Sequence, residues 1–340
     1  MRRLGLLAAA VAMTAGSAYA ADGIKLNNML TVTGFIDTSY VSQSVDVPGS
    51  TTSVDTKTFN MDQAEVDFIF DLGMGLSGQI DLQSVQGVAG VAGDMVGAEQ
   101  AFINYDFGNG VNLTLGKFDT FIGLEAIEQV DMYQYSHSLV YDLEPEQHTG
   151  LAVAYSGEMF NMAGALVNGI GTQNPDVNDA MAIALHVGVV PNKVWSANLN
   201  YVASDEGTGA PAGTATTAAS ELDTTLMTAD VQYTNLGWTV GFEYAAKTTD
   251  TSPTTELKQT GMSLMANYAY SDRGSITARY SKVENDVAGV TADQSEMSLC
   301  GNYGFTPNWM GRLELRKDTT EVLGVDLDAQ TIALETTLSF

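Results

Sequence analysis

The sequence predicts an all-β chain that forms a transmembrane, antiparallel, up-and-down β-barrel of about sixteen strands, with a long third loop folded inward. Apolar and polar side chains alternate residue by residue along many segments. Turn residues recur at regular intervals between these segments. An export signal stands at the N-terminus, and no later apolar stretch reaches the roughly 18 residues of a membrane-spanning helix.

The first twenty residues are typical of a signal peptide. Arg2 and Arg3 supply a positive start, residues 4–13 an apolar run, and residues 18–20 the small-residue cleavage site Ala-Tyr-Ala. We therefore expect a cleaved signal over residues 1–20 and a mature barrel over residues 21–340. An exported chain with 45% hydrophobic residues and no spanning helix is either a periplasmic globule or a closed barrel.

The last eleven residues show the alternation most clearly and favour the barrel. They end on Phe340, and an aromatic final residue is the usual address read by the barrel-assembly machinery of the outer membrane. One face is suited to lipid and the other to water. The apolar face carries Ile332, Leu334, Leu338 and Phe340, and the polar face carries Thr331, Glu335, Thr337 and Ser339.

Short turns and longer polar segments alternate along the chain, which predicts about sixteen strands of roughly 9 to 13 residues. Gly, Asn, Asp and Pro mark the short turns. These turns lie near residues 73–75, 108–110, 157–158, 191–193, 235–237, 272–274 and 306–308. The longer segments lie near 44–58, 88–96, 120–148, 170–178, 206–221, 249–257, 286–292 and 319–329.

The same alternation assigns side chains to the outside and to the lumen of the barrel. Trp195, Trp238 and Trp309 each begin a strand after a short turn, and with Phe340 they predict an aromatic girdle at one membrane interface. A barrel of about sixteen strands encloses water, so the polar faces line a channel. The predicted wall carries Asp37, Glu65, Asp67, Asp71, Asp81, Asp106, Asp230, Glu243, Lys247, Arg279, Glu296, Arg312, Glu314, Arg316 and Glu335.

The segment 120–148 is the longest of the predicted loops, and it mixes apolar with acidic residues. A loop this long and this apolar is expected to fold into the barrel mouth, with its carboxylates in the permeation path. Lys117 and His137 have an alternative place as solvated residues of the rim. The predicted constriction consists of Lys117, Glu125, Glu128, Asp131, Tyr135 and His137.

Charge excludes several classes of partner and chemistry. The formal charge is -27, and the mature chain has 12 basic against 41 acidic residues, so nucleic acid would be repelled and cations concentrated. The single cysteine, Cys300, excludes an internal disulfide and thiolate metal clusters. The histidines are His137, His148 and His186, and none is placed to activate an outward serine. We expect no enzyme, no cofactor and no metal.

Short motifs on the first strand and around the third loop carry a family resemblance. They read Gly34-Phe35-Ile36-Asp37, Leu115-Gly116-Lys117-Phe118, Ile122-Gly123 with Glu125, Tyr135-Ser136 and His148-Thr149-Gly150. The pattern resembles that of the OmpL-like β-barrel porin-2 family and is specific mainly across residues 113–155. Two residues depart from it: Phe121 stands in place of proline, and His137 in place of arginine, which weakens the basic side of the constriction.

The resemblance implies an outer-membrane porin in a Gram-negative bacterium, and it brings no established ligand residues. The expected function is a cation-preferring, water-filled channel for passive diffusion of small hydrophilic solutes and ions. A channel dedicated to one solute class, or an adhesin or structural barrel, is the alternative. Expected partners are outer-membrane lipids and lipopolysaccharide, the assembly machinery, and two further copies in a homotrimer, as in the architecture of sixteen-stranded porins.

Overall fold

The chain folds into one closed antiparallel barrel of sixteen strands with one additional short strand. The computed structural model describes residues 23–46, 48–49, 52–85, 95–170, 180–205, 223–252 and 254–340. The predicted signal peptide lies outside these residues, as do most of the predicted loops near 88–96, 170–178 and 206–221. No helix in the described ranges has the length and apolar character needed to cross a membrane.

Each strand of the barrel pairs with the strands before and after it in the sequence. The first half consists of β1 (Ile24–Lys25), β2 (Leu30–Asp46), β3 (Ser53–Gly73), β4 (Leu76–Val85), β5 (Met95–Asp106), β6 (Val111–Asp119), β7 (Gln147–Ser156), β8 (Phe160–Val167) and β9 (Ala182–Val189). The second half consists of β10 (Trp195–Asp205), β11 (Asp223–Asn235), β12 (Trp238–Ser252), β13 (Thr255–Ser271), β14 (Gly274–Val287), β15 (Val290–Thr306), β16 (Trp309–Val322) and β17 (Val325–Ser339).

The barrel closes where β17 pairs with β2. Ser339 lies opposite Phe35 in this pairing. Beyond it, the Phe340 N–H donates to Gly34 O at 2.9 Å and the Gly34 N–H donates to Phe340 O at 3.2 Å. Next along the same edge of β2, β1 adds two residues opposite Thr31 and Val32. We call this end of the barrel the terminal end and the opposite end the loop end.

The two predicted faces are confirmed strand by strand. On β16, Leu313 and Leu315 are exposed on the outside, whereas Arg312 and Glu314 are buried in the lumen. The outer apolar side chains are exposed because only lipid would cover them, and the inner polar ones contact the contents of the lumen. The same division holds for Ile103 and Tyr105 against Gln100 and Asn104, for Leu199 and Tyr201 against Ser196 and Asn200, and for Leu334 and Leu338 against Glu335 and Thr337.

Aromatic side chains gather at the terminal end, where the girdle was predicted. The ring centroids of Trp195 and Tyr233 are 4.9 Å apart, those of Trp238 and Tyr268 4.7 Å, and those of Trp309 and Phe305 4.5 Å. Each pair joins the first residue after a short turn to the neighbouring strand. Such amphipathic rings suit the boundary between lipid and water.

Three of the predicted long loops are wrong. The segments near 249–257, 286–292 and 319–329 are mostly strand, because their strands extend until only a tight turn remains. Two of these turns are Ala288-Gly289 and Leu323-Gly324, and all four residues have positive φ. Two consecutive positive φ values define the type I′ turn, whose twist matches antiparallel strands. Strands on this side therefore reach 14 to 17 residues instead of the expected 9 to 13.

Two β-bulges each add to the lumen one carboxylate that simple alternation does not predict. Between β2 and β3 the pairing steps from Asp37 opposite Gln63 to Thr38 opposite Met61, which leaves Asp62 as an extra residue. Between β4 and β5 the pairing steps from Gln100 to Ala98 and leaves Glu99. Both side chains contact lumen groups, as described below.

Candidate pore constriction

Residues 120–146 leave the wall between β6 and β7 and fold into the lumen. The Thr120 N–H donates to Glu146 O at 2.8 Å, which closes the base of the loop. Two single turns of 3-10 helix, Gln129–Asp131 and Tyr141–Leu143, are its only regular elements among the described residues. We call this loop the inward segment.

The apolar side of the inward segment packs on the inner wall, as predicted. Phe121, Ile122, Val140 and Leu143 are buried with wall residues of modest size. Small side chains at lumen positions leave the space that the segment occupies. The wall residues of this cluster include Ala152, Ala154, Ala165, Val167, Ala184, Val202, Leu226, Ala245 and Val283.

On the opposite wall, basic side chains bind the inward segment. Among the described residues, the basic side chains on the lumen face are Lys247, Arg279, Arg312 and Arg316, and each donates to a backbone carbonyl of the segment. Arg316 Nη1 donates to His137 O at 2.8 Å, and Lys247 Nζ donates to Leu143 O at 3.1 Å. These hydrogen bonds attach the inward segment to the wall opposite its apolar contacts.

Arg279 makes the largest set of these contacts. Its Nη1 lies 2.7 Å from Glu125 Oε1 and 2.6 Å from Ser136 O, and its Nη2 lies 2.7 Å from His137 O. On the wall, its Nε donates to both oxygens of Glu296, at 3.1 and 3.2 Å. Burial is the largest influence and raises the pKa of Glu125, but the charges of Arg279 and His137 and the hydrogen bonds of Ser138 together outweigh it, and the pKa lies below the ordinary value.

Carboxylates of the wall accept from the segment in turn. Glu314 Oε2 accepts the Tyr135 N–H at 2.9 Å and the Ser136 N–H at 3.3 Å. The Tyr135 hydroxyl donates to Asp62 Oδ1, the bulge residue, at 3.3 Å. Tyr135 is thus held from two sides of the lumen, and its role in a constriction stays a prediction.

The other predicted constriction residues fall in different surroundings. Glu128 and Asp131 are half-buried on the inward segment. His137 stacks on Tyr141 with ring centroids 3.7 Å apart, and its Nε2 is 2.9 Å from Ala126 O. Burial, then the charges of Asp131, Asp119, Asp67 and Glu99, raise the pKa of Glu128 well above its ordinary value.

Two predicted site residues are wrongly placed. Lys117 follows Leu115 by two residues and shares its outer face, where its Nζ donates to Ala98 O at 3.0 Å. Asp106 is the last residue of β5 and is exposed; its Oδ1 accepts the Gly108 N–H at 2.7 Å, which caps the turn. Neither residue belongs to the lumen wall. The same correction applies to Asp71 near the end of β3, which is exposed and whose Oδ1 accepts the Gly73 N–H at 3.0 Å.

The remaining predicted wall residues do face the lumen, and most are buried beneath the inward segment or beside it. Arg312 pairs with Glu335, the Arg312 Nη1 lying 2.9 Å from Glu335 Oε2. The bulge residue Glu99, which the sequence did not reveal, accepts from Gln83 Nε2 at 2.7 Å. The buried lumen carboxylates are Asp37, Glu65, Asp81, Asp230, Glu243, Glu296, Glu314 and Glu335.

The other two histidines, His148 and His186, contact residues of the wall and of the base of the inward segment. His186 Nδ1 lies 2.6 Å from Asn200 Oδ1, and its Nε2 lies 2.6 Å from Asn161 Oδ1. His148 Nε2 is 3.0 Å from Thr120 Oγ1 at the base of the inward segment. These contacts hold both histidines within the lumen wall and at the base of the inward segment.

The family described as "Putative beta-barrel porin-2, OmpL-like" matches residues 29–340, which include the whole barrel and the inward segment. The chain belongs to this family. It is therefore a porin channel of the outer membrane, and the resemblance seen in the motifs is confirmed. No protein with a curated function matches the sequence.

Solved barrels with similar folds agree with this assignment. OmpT of Vibrio cholerae, expressed in the outer membrane, superposes with a TM-score of 0.66 at 15% identity, over 94% of this porin and 100% of that chain. An anion-selective porin from Comamonas acidovorans gives 0.64 at 13% identity, over 92% and 99%. The outer membrane channel DcaP of Acinetobacter baumannii gives 0.64 at 13% identity, over 94% and 100%.

Proposed function

We propose that this porin is a cation-preferring channel for the passive diffusion of small hydrophilic solutes and ions. The proposal rests on which charged side chains of the lumen are paired and which are not. The basic side chains on the described lumen face all bind the inward segment, and three of them also pair with carboxylates. Glu65, Asp67, Asp230 and Glu243 take part in none of the ion pairs between described residues.

An excess of fixed carboxylates in a narrow lumen raises the local concentration of cations and lowers that of anions. The inward segment adds Asp131, Asp142 and Glu146, which contact water. The neighbour from Comamonas acidovorans is an anion-selective porin, but at 13% identity its likeness to this chain extends to the fold alone.

Proteoliposome swelling tests both parts of the proposal. Swelling in small uncharged sugars, with a cutoff as sugar size increases, is expected of a diffusion channel. Lysine should enter faster than glutamate, since the two solutes are similar in size and opposite in net charge. Response to one sugar alone would indicate a dedicated channel, silence would indicate an adhesin or structural barrel, and faster glutamate entry would refute the charge preference.

We further propose that the porin acts as a homotrimer after export with a cleaved signal peptide, and that lipopolysaccharide surrounds it. One of the OmpT structures is of a trimer form, at 14% identity. The proposal is tested by light scattering in mild detergent, where a mass of three chains is expected and a monomer only would contradict it.

A further inference from the structure

Three carboxylates lie together on the lumen face of β3 and β4. They are Glu65, Asp67 and Asp81, and one oxygen of each lies within 4.8 Å of the other two. Asp67 is directly opposite Asp81 in the strand pairing, and Glu65 is the next residue along the same face. The backbone of two paired strands therefore fixes their spacing.

Each carboxylate uses one oxygen for a neutral donor. Glu65 Oε2 accepts from Gln83 Nε2 at 3.3 Å, and Asp67 Oδ2 accepts from Thr33 Oγ1 at 2.8 Å. Asp81 Oδ2 accepts from Gln79 Nε2 at 2.8 Å and from Gln100 Nε2 at 2.7 Å. These amide and hydroxyl donors orient the carboxylates without neutralising them.

The second oxygen of each carboxylate is buried without a partner. These atoms are Glu65 Oε1, Asp67 Oδ1 and Asp81 Oδ1. Glu65 is 2% exposed and Asp81 is fully buried. A buried anionic oxygen without a donor or cation is costly, so three at one place point to a ligand that supplies positive charge.

The surroundings add negative charge, and none of the ion pairs between described residues includes Glu65, Asp67 or Asp81. Glu99 and Asp119 stand nearby on β5 and β6, and Glu128 of the inward segment is close enough for its charge to act on Glu65. Lys117 of β6 is on the outer face of the barrel, where its Nζ donates to Ala98 O. Arginines therefore bind the inward segment at one wall. At the other wall, Glu128 of the segment lies near further carboxylates.

We propose that Glu65, Asp67 and Asp81 bind a divalent cation of the calcium type, which joins this wall to Glu128 of the inward segment. The donor set consists of carboxylate oxygens and contains no nitrogen or sulfur, which is the chemistry that Ca²⁺ prefers over Zn²⁺ or Cu²⁺. A bound Ca²⁺ would neutralise Glu65 and Asp67, and the proposed cation preference would then rest on Asp230, Glu243 and the carboxylates of the inward segment.

The test uses the full-length porin, refolded in detergent without lipopolysaccharide, stripped with chelator and titrated with CaCl₂ in a KCl background by calorimetry. Wild type is expected to bind one Ca²⁺ per chain and to unfold at a higher temperature when loaded. Asp81→Asn should weaken binding at least tenfold. Asp230→Asn is the matched control, because Asp230 is also a buried lumen carboxylate with one oxygen bonded to an amide and the other without a partner.

Asp67→Asn carries the same test in case Asp81→Asn fails to fold, since Asp67 is only half-buried. A wild type without saturable Ca²⁺ binding would overturn the proposal. Equal binding by the Asp81 and Asp67 variants, or an equal loss in Asp230→Asn, would overturn it as well. Thermal stabilisation of the Asn variants without Ca²⁺, with no binding by wild type, would show that the carboxylates share protons instead.

Discussion

Arg279 on β14 and Glu125 on the inward segment form a buried ion pair, with Nη1 and Oε1 2.7 Å apart, across 154 residues of sequence. The same guanidinium binds Glu296 on β15. One side chain therefore connects the inward segment to two strands of the wall. Lys247, Arg312 and Arg316 add single bonds to carbonyls of the segment, so Arg279 is the largest of several attachments.

Arg279→Gln should release the inward segment. The change leaves Glu125 and Glu296 buried without their cation, and breaking such a pair costs about 3 to 5 kcal/mol. We expect a lower free energy of unfolding in urea and a larger single-channel conductance. Arg273→Gln is the control, because Arg273 is exposed in a turn at the terminal end. A variant with wild-type conductance and stability would show that Arg279 does not hold the segment.

Gly34→Ala should weaken barrel closure. A Cβ at Gly34 would collide with the backbone oxygen of Glu65 and would lie 2.8 Å from Phe340 Cζ. Overpacking of this kind costs about 1 to 3 kcal/mol. We expect the folded band on an unheated gel to be lost at a lower temperature than in wild type.

Gly301→Ala is the control for Gly34→Ala, because Gly301 is also in a strand interior and has no atom within 4 Å of an added Cβ. An unchanged transition in Gly34→Ala, or an equal shift in both variants, would contradict the role of Gly34 in closure.

The alternation of side chains predicted the two faces correctly because lipid and water impose a strict period of two. It failed at Asp62 and Glu99, since a bulge adds one residue without any mark in the composition. Lys117 is close in sequence to the long loop, but the two-residue period that includes Leu115 puts its side chain on the outer face. A long basic side chain can remain on that face because its ammonium reaches polar groups near the strand end.

The contacts of the inward segment could not be predicted from the sequence. Its length and apolar residues indicated that it folds inward, but the basic side chains that bind it come from strands more than 100 residues away. The predicted loops near 286–292 and 319–329 failed for another reason. Polar residues there suggested coil, yet Ala288-Gly289 and Leu323-Gly324 form hairpin turns on long polar strands.

Rising pH should loosen the inward segment through Glu144. Burial, then the charges of Glu243, Glu125 and Asp230, raise its pKa well above the ordinary value, and Lys247 bonds to the carbonyl of the preceding residue. Because the folded-state pKa exceeds the unfolded one, the docked segment keeps a proton that the free segment loses. The stability of docking is complete below about pH 4 and decreases as pH rises through the folded-state pKa.

We expect open-channel noise to increase with pH in wild type and to become less dependent on pH in Glu144→Gln. Glu146→Gln is the control, since Glu146 is exposed two residues away. Noise that decreases with rising pH, or a pH response retained in full by Glu144→Gln, would refute this account.

Two turns with the same geometry test the orientation of the barrel. Leu323 and Met74 are both exposed, have φ of 53° and 54°, and precede a glycine, but they lie at the loop end and the terminal end. In a Cys300→Ser background, a bulky maleimide added to intact cells should label Leu323→Cys. Met74→Cys should be labelled only after the outer membrane is opened. The reverse pattern would invert the topology.

The zero-current potential of the full-length porin in a tenfold KCl gradient across a planar bilayer tests the central claim most directly. We expect a potential of the sign given by K⁺ permeation. Combined Asp131→Asn, Asp142→Asn and Glu146→Gln changes should move it toward zero, because these carboxylates of the inward segment contact water, and high salt should remove most of the difference. A wild-type potential of the sign given by Cl⁻, or a triple variant with an unchanged potential, would contradict the account.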